Sequence, residues 1–529
     1  MRHVFYAIAA VLLLTVVLLG LWWRPALWGL AVVVPLIALG VRDCLQTRRA
    51  VLRNFPVIGH FRYLLESIRP EINQYFIESN TDGKPFNREL RSVSYQRAKK
   101  ERETVPFGTQ RDVYEVGYEW LNHSLRAQHA PEDPRILIGA ERCREPYNAS
   151  VLNIGAMSFG SLSANAVRAL NGGARLGRFS HNTGEGGISD HHLEPGGDLC
   201  WQLGTGYFGA RQRNGTFDEK MFQERAAHPS VKWIEVKLSQ GAKPGHGGIL
   251  PAAKVTPEIA AIRGVALGHD VLSPPGHSAF STPRQLLEFC ARLRELSGKP
   301  VGFKLCVGHR SEFVAICKAM RISGLVPDFI AVDGGEGGTG AAPLEFSNSI
   351  GTPLTDGLVF VHNALEGFGL RQQLRVIASG KIITGFHMAQ RIAAGADMCA
   401  SSRGFMFSLG CIQALRCNSN DCPVGVATQD PGLEAGLVVT HKTDRVAAFH
   451  DGTVAAFTET LGAAGLQHPD ELRPWHVQRR ISATEVSSYD EIYGYLQRGQ
   501  LLTDEVPAAW RRVVAMADAD SFEARRTTA

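Results

Sequence analysis

Cys411, Cys417 and Cys422, three of the chain's ten cysteines, fall within twelve residues, and Pro423 directly follows the last. Thiolates bind soft metal centres, and three at such short spacing can close a loop around one iron–sulfur cluster. The pattern C-x5-C-x4-C is not a zinc pattern, which asks for paired C-x2-C units and a fourth ligand. Three ligands suit a cluster that lacks one iron, or one completed by a non-cysteine ligand. Three free buried thiols are the plain alternative. A one-electron centre must exchange electrons with something, so the rest of the chain has to supply a partner.

Several loops offer one. Asn182-Thr183-Gly184-Glu185-Gly186-Gly187 sets a carboxylate in a backbone that a ligand can approach closely, and the run from Gln240 to Gly248 adds an amide and the Lys243 ammonium. Lys304 lies inside the apolar stretch V-G-F-K-L-C-V, where burial is costly without an anion or carbonyl partner. Facing a barrel mouth, it can hold a carboxylate or stabilise negative charge on a reduced flavin. The plain reading is a strand-end lysine reaching solvent. The run from Asp333 to Gly340 has five glycines, which leave one wall free of side chains for a planar ring or a phosphate. Ala378-Ser379-Gly380 and Ser401-Ser402-Arg403-Gly404 follow the last two assignable strands. Their backbone N–H groups suit a phosphate, with Arg403 adding a charge-assisted contact. Together these loops point to a mononucleotide. A flavin is preferred over a nicotinamide because it passes one or two electrons and so couples a cluster to hydride chemistry.

The elements that must position these groups begin near Pro146. Strands are expected at 151–157, 233–238, 301–305, 329–332, 375–378 and 398–400. Helices are expected at 163–176, 311–322, 361–368 and 387–394. Thr256-Pro257 and Thr282-Pro283 each look like an N-cap with proline at the first helical position. The second starts a helix with Leu286, Phe289, Cys290, Leu293 and Leu296 on one face. Strands alternating with such helices imply a parallel sheet, open and doubly wound or closed. Ser158, Glu185, Gln240, Lys304, Asp333, Ser379 and Ser401 sit after strand after strand, as the loops of a barrel would place them. No G-x-G-x-x-G opens a helix after an early strand. The closed barrel is the better reading.

The chain has 529 residues, 44% hydrophobic and 20% charged, with a formal net charge of +5. That suits one large globular domain with additions, or two to three average ones. So small a charge favours no partner class, and a nucleic-acid role is not expected. Residues 4–23 are almost wholly apolar and about as long as a bilayer span, and 26–41 form a second uncharged run after Arg24-Pro25. Trp22, Trp23 and Trp28 cluster where an aromatic belt would lie. A signal peptide competes, but it asks for a shorter apolar core and a small-x-small cleavage site. Residues 1–41 are therefore read as a transmembrane hairpin. Arg42, Arg48, Arg49 and Arg53 then place both ends on the cytoplasmic side of the cell inner membrane, where cysteines serve metals rather than disulfides. Residues 42–145 read as an N-terminal arm packing on the main domain, with Ser94 to Glu103 a solvated charged surface.

The motifs M-S-F-G-S-L-S (157–163), N-T-G-E-G-G (182–187), Q-G-A-K-P-G-x-G-G (240–248), S-P-P (273–275), D-G-G-x-G-G-T-G-A-x-P-L (333–344) and L-G-C-x5-C-x4-C-P-V-G-V-A-T-Q-D-P (409–431) occur in this order. From about Leu152 to Pro431 they resemble the FMN-binding synthase domain of glutamate synthase. The resemblance implies a TIM (β/α)8 barrel over 146–432 that binds FMN and a [3Fe-4S] cluster, followed by a helical C-terminal extension over 433–529. Electrons would pass from the cluster to FMN, whose reduced form delivers hydride to 2-iminoglutarate, made from 2-oxoglutarate and ammonia, to give L-glutamate. Carried over by motif, Cys411, Cys417 and Cys422 would be the cluster ligands. Lys304 would stand beside FMN and the oxo acid, and Glu185 would line the site where ammonia meets it. Ser158, Gln202, Gly335, Gly338, Ser379, Gly380, Ser402 and Arg403 would lie around FMN, with Gly380 and Ser402 at its phosphate.

The departures are specific. Large glutamate synthases begin with a glutaminase whose nucleophile is an N-terminal cysteine, whereas the first cysteine here is Cys44. Residues 445–529 show no Gly-rich repeat of the family's C-terminal β-helix. The chain is thus similar to a stand-alone, membrane-anchored branch, using free ammonia or a partner glutaminase and a separate electron donor, a ferredoxin or a reductase subunit. Homo-oligomerisation is left open. The segment L-C-V-G-H-R-S-E after Lys304 differs from the family's usual one, which leaves Arg310 as a substitute contact for the oxo acid. Two alternatives stand beside this reading. One keeps the cofactors but changes the amine or oxo acid. The other is a membrane-anchored FMN and iron–sulfur electron-transfer subunit without turnover, against which Lys304 and Glu185 speak.

Overall fold

Strands β1 (Leu152–Ile154), β2 (Ser180–Asn182), β3 (Asp198–Leu203), β4 (Val231–Lys237), β5 (Val301–Leu305), β6 (Phe329–Asp333), β7 (Arg375–Ser379) and β8 (Met398–Ser401) lie side by side in chain order. Each pairs in parallel with the next, and β8 pairs with β1 to close a barrel. This computed structural model describes residues 2–101 and 104–525. The closed barrel expected from the loop pattern is the one found. β2 and β3 are the strands that the sequence pattern did not announce. β2 is three residues long, and β3 carries Gln202 in its apolar run, so neither has the usual strand signature.

Local chemistry sets the helices between the strands. The hydroxyls of Ser163, Thr256, Thr282 and Thr384 accept from backbone N–H groups three residues on and start helices Ala164–Gly177, Pro257–Arg263, Pro283–Ser297 and Gly385–Ala393. Gly298 and Gly324, both left-handed, end Pro283–Ser297 and Arg310–Ser323. Leu286, Phe289, Cys290 and Leu293 are buried, as their spacing predicts. The strands obey a period of two: on β5, Val301, Phe303 and Leu305 alternate with Gly302 and Lys304, and on β4, Ile234 and Val236 alternate with Trp233, Glu235 and Lys237. Trp233, Glu235 and Lys304 line the space enclosed by the strands.

The tail after the barrel supplies helix Val439–Ala463, which packs against Ala164–Gly177. A side chain at Gly173 would overlap Val446, so the close approach depends on glycine. The tail also supplies strands Val477–Arg480 and Val486–Ser488, which form an antiparallel sheet with Glu119–Leu121. The expected solvated run at 94–103 is corrected in part. It lies on helix Arg88–Lys99, with Ser94, Arg97 and Ala98 buried. The Arg97 guanidinium donates to Thr453 Oγ1 at 3.3 Å. A charged run at helical spacing still has one packed face, here built on Ser94 and Ala98. Arg102 and Glu103 lie outside the described residues.

Met1–Arg88 form a separate unit from Glu89–Ala529. In the first, helices Arg2–Trp22 and Leu30–Leu45 are joined by the turn Arg24–Gly29. Arg2–Trp22, and Arg24–Leu45 when the turn is counted with the second helix, are long and apolar enough to cross a membrane, by length and composition. Asp43, buried, accepts from Val57 N and sits 2.9 Å from His60 Nε2.

Gly302 of β5 has no room for a Cβ, which would overlap the Phe329 carbonyl and ring of β6. Gly302→Ala should cost about 1–3 kcal/mol by overpacking, read as a lower urea midpoint. Gly276→Ala, with nothing within 4 Å of its Cβ, should stay within about 0.5 kcal/mol. Equal midpoints for the two variants would contradict this inter-strand spacing.

Candidate functional site

Lys304 is the next-to-last residue of β5, in register with Lys237 of β4 and Ala331 of β6. Its side chain is 9% exposed, so it does not snorkel to solvent, and Nζ lies 3.3 Å from Asp333 Oδ2. Burial is the largest influence and works against the charge. Asp333 and Glu235 outweigh it and hold the ammonium above its ordinary value. Asp333 Oδ2 also accepts from Gly241 N at 2.8 Å, which ties the loop after β4 to the end of β6. Glu235 in turn accepts from Asn182 Nδ2 at 2.9 Å and Gln202 Nε2 at 2.6 Å. Residues of five strands thus form one buried polar group inside the barrel.

Glu185 follows β2 and left-handed Gly184, where a Cβ would stand 2.6 Å from Ser158 N. Its Oε1 lies 2.9 Å from Lys237 Nζ. Burial alone would raise the carboxyl, but Lys237, Lys243 and Arg263 together hold it below its ordinary value. Gly204 and Gly248 leave the space that the carboxylate fills. Lys243 donates to the Ala341 carbonyl at 2.9 Å, and burial pulls its pKa down to about 8. His277 joins this side through Lys237 O at 2.9 Å and Tyr207 Oη at 3.0 Å, and burial keeps it neutral, near 4.

The loops after β6, β7 and β8 meet on the other side. The carbonyl of buried Ser379 accepts from Gly334 N at 2.8 Å. Gly380 follows at φ 155°. Arg403 donates to the Glu336 carbonyl at 2.8 Å; burial lowers it to about 10, opposed by Asp333 and Glu336. A Cβ at Gly338 would stand 2.9 Å from the Arg403 guanidinium, one at Gly335 2.6 Å from Gly351 O, and one at Gly155 2.5 Å from Ser402 Oγ. The barrel cavity is lined by Ile154, Gly155, Ala156, Trp233, Ala331, Ile377 and Ala400, with Asn153, Asn182, Glu235, Lys304 and Ser379 as its polar lining.

The cysteine loop continues from β8. Cys411 and Cys417 are half-buried and Cys422 is buried. Burial pushes the Cys411 and Cys417 thiols up; Cys417 and Cys422 add to this at Cys411, and Cys422 at Cys417. Among the described residues, no three His, Cys, Asp or Glu side chains are placed to hold a metal ion. Positive φ at Gln413, Leu415 and Asn420 winds the loop, and Tyr95 donates to the Cys411 carbonyl at 2.6 Å. Ser163 Oγ donates to Gly425 O at 2.7 Å and Gln429 Nε2 to Leu162 O at 2.8 Å, which fastens the loop to the start of the barrel.

Arg310 is not among the residues that line the barrel cavity. It opens helix Arg310–Ser323, is exposed, and stacks over Phe360 at 5.2 Å, so the expected oxo-acid contact is corrected. Glu235, Lys237 and Arg263 were not anticipated. The first two had a signal: V-K-W-I-E-V-K carries charges two apart inside a strand, as Lys304 does. Arg263, on a helix, had none.

The conserved region in glutamate synthase matches residues 92–467 of this chain. The glutamate synthase large subunit-like protein YerD of Bacillus subtilis is 37% identical over 493 residues, 85% of this chain and 94% of that protein. The archaeal glutamate synthase (NADPH) of Methanocaldococcus jannaschii is 33% identical over 60% of this chain and 59% of its own length. The glutamate synthase (NADPH) large chain of Bacillus subtilis is 32% identical over 53% of this chain, which spans only 18% of that protein.

Lys243 should deprotonate near pH 8, seen as one lysine Cε resonance that titrates there and is lost in Lys243→Met. The unfolded chain keeps that proton up to the ordinary lysine range, about 10.4. Between the two values the unfolded state binds more protons, so stability relative to Lys243→Met rises with pH across this window. A flat difference would overturn the assignment.

Proposed function

This chain belongs to the glutamate synthase family, and we propose that it reduces the imine of 2-oxoglutarate and ammonia to L-glutamate, using FMN and an iron–sulfur cluster. The reading is carried by one observation: a protonated lysine, Lys304, is held inside the barrel by Asp333 and Glu235, in a polar group to which five strands contribute and which borders a cavity also lined by Gly155, Trp233 and Ser379. Ser379, Gly380, Ser402 and Arg403 would hold the phosphate, the last through its charge. Cys411, Cys417 and Cys422 would be the three soft donors of the cluster, thiolates of the kind that hold iron–sulfur centres. When bound, the flavin supplies hydride and the cluster single electrons.

The chain's own side chains would do the rest. Lys304 holds a carboxylate or developing negative charge in a dry site, where such a contact is strong. Glu185, kept ionised by Lys237, accepts hydrogen bonds from ammonia and fixes its approach. Lys243 can hold or release a proton near neutral pH. One observation favours a second substrate reading on the same cofactors. Arg310 is turned to Phe360, and residues 305–309 contain no lysine or arginine, which suits an oxo acid with a single carboxylate. We also place helices Arg2–Trp22 and Leu30–Leu45 in the inner membrane with the barrel in the cytoplasm, supported by Arg42, Arg48, Arg49 and Arg53. A ferredoxin or a reductase subunit would deliver electrons.

The test is to reduce the purified flavin-loaded protein anaerobically and follow flavin reoxidation by 2-oxo acids with and without ammonium. 2-Oxoglutarate with ammonium should reoxidise it, and Lys304→Ala with flavin still bound should be slower by about 100-fold. Reoxidation by Lys304→Ala at the wild-type rate would remove Lys304 from the chemistry. Reoxidation only by monocarboxylic oxo acids would select the second reading.

A further inference from the structure

Lys254 is among the largest fully buried side chains, 2% exposed, on the turn Ala252–Lys254 between β4 and helix Pro257–Arg263. Its ammonium donates to Ala427 O at 2.8 Å and to Ser161 O at 3.1 Å. Both acceptors are neutral. Burial lowers its pKa, and among the described residues the ionisable groups whose fields oppose that are Cys417 and Cys422, with no carboxylate. An ammonium taken from water into a protein interior is not compensated by two carbonyls. Of the other buried ammonium groups in the barrel site, Lys304 is paired with Asp333 and Lys237 with Glu185, while Lys243 donates to the Ala341 carbonyl within the field of Glu185. Lys254 has only the loop that carries the cysteines.

We propose that Lys254 is the built-in counter-charge of the iron–sulfur centre, fixed by Ala427 and Ser161 so that it offsets the anionic thiolate cluster on Cys411, Cys417 and Cys422. The inference rests on the cluster reading above. Each electron taken up makes the centre more negative, and a fixed cation in a low-dielectric site favours that state. Lys254 therefore raises the potential at which the centre accepts electrons. Other cations near the loop are Arg91, which reaches Cys411, Lys442, whose Nζ would lie 3.1 Å from a Cβ at Gly410, and Arg416, paired in solvent with Asp421 at 3.6 Å. The two carbonyls also make Lys254 a clamp: Ser161 follows β1, and Ala427 lies five residues beyond Cys422.

The test uses the full chain, purified anaerobically, with iron and acid-labile sulfide measured and the cluster titrated by EPR potentiometry. Lys254→Gln should shift the cluster midpoint to more negative potential and leave the flavin midpoint unchanged, and Lys254→Arg should restore the wild-type value. An unshifted midpoint in Lys254→Gln overturns the proposal. A second measurement needs no variant: with lysine labelled at 15Nζ, pulsed EPR of the wild-type cluster in its paramagnetic state should show a weakly coupled 15N nucleus. Its absence overturns the proposal as well. Wild-type protein without iron and sulfide overturns the cluster reading itself, and this inference with it.

Discussion

A positive charge cannot sit inside a barrel of aliphatic and aromatic residues unless the barrel is built to receive it. Lys304 imposes that condition here. Asp333 answers it and with the same oxygen takes the Gly241 N–H, so the loop after β4 is drawn over the end of β6. That closeness requires glycine at 241, since a Cβ would overlap the Gly334 carbonyl. Glu235 adds a second negative charge and must itself be satisfied, which Asn182 and Gln202 do. Buried ion pairs are often no more stable than apolar packing of the same volume. A polar group reaching across β2 to β6 is better understood as a requirement of the chemistry than of the fold.

How much of this could be read from the sequence depended on whether an element carried its own local signal. β5 was read to the residue because its apolar run is short and bounded, and the caps at Thr256 and Thr282 declared themselves through the following prolines. β2 and β3 could not be, because their pairing is decided by neighbours rather than by their own composition. The site residues followed the same division. Lys304 and Glu185 stood out against apolar or glycine-rich surroundings. Arg263 contributes only through a helix whose placement is tertiary, and Arg310 was misplaced because a helix-opening residue can turn to either side. Ser94 and Arg97 show that charge density alone does not reveal which face of a helix is packed.

The seam where β8 meets β1 joins the two chemistries. Because the strands run in chain order around the ring, the last loop of the barrel returns to the first. Ser163, Gln429 and Lys254 fasten the cysteine loop there. The fastening uses backbone carbonyls and hydroxyl, amide or ammonium donors, so it fixes position without consuming the thiols. Tyr95 holds the Cys411 carbonyl from the outside, which makes helix Arg88–Lys99 part of the support.

The same ring order separates what the loops are free to become. The segment after β5, which carries the chain's departure from the glutamate synthase pattern, springs from the strand opposite β1, while the cysteine loop is bound to the β8–β1 seam. Substitutions at 305–310 leave the partners of Cys411, Cys417 and Cys422 untouched. A lineage built on this barrel can therefore vary one side of its mouth while inheriting the attachment of the cysteine loop intact, and the two histories need not be written by the same residues.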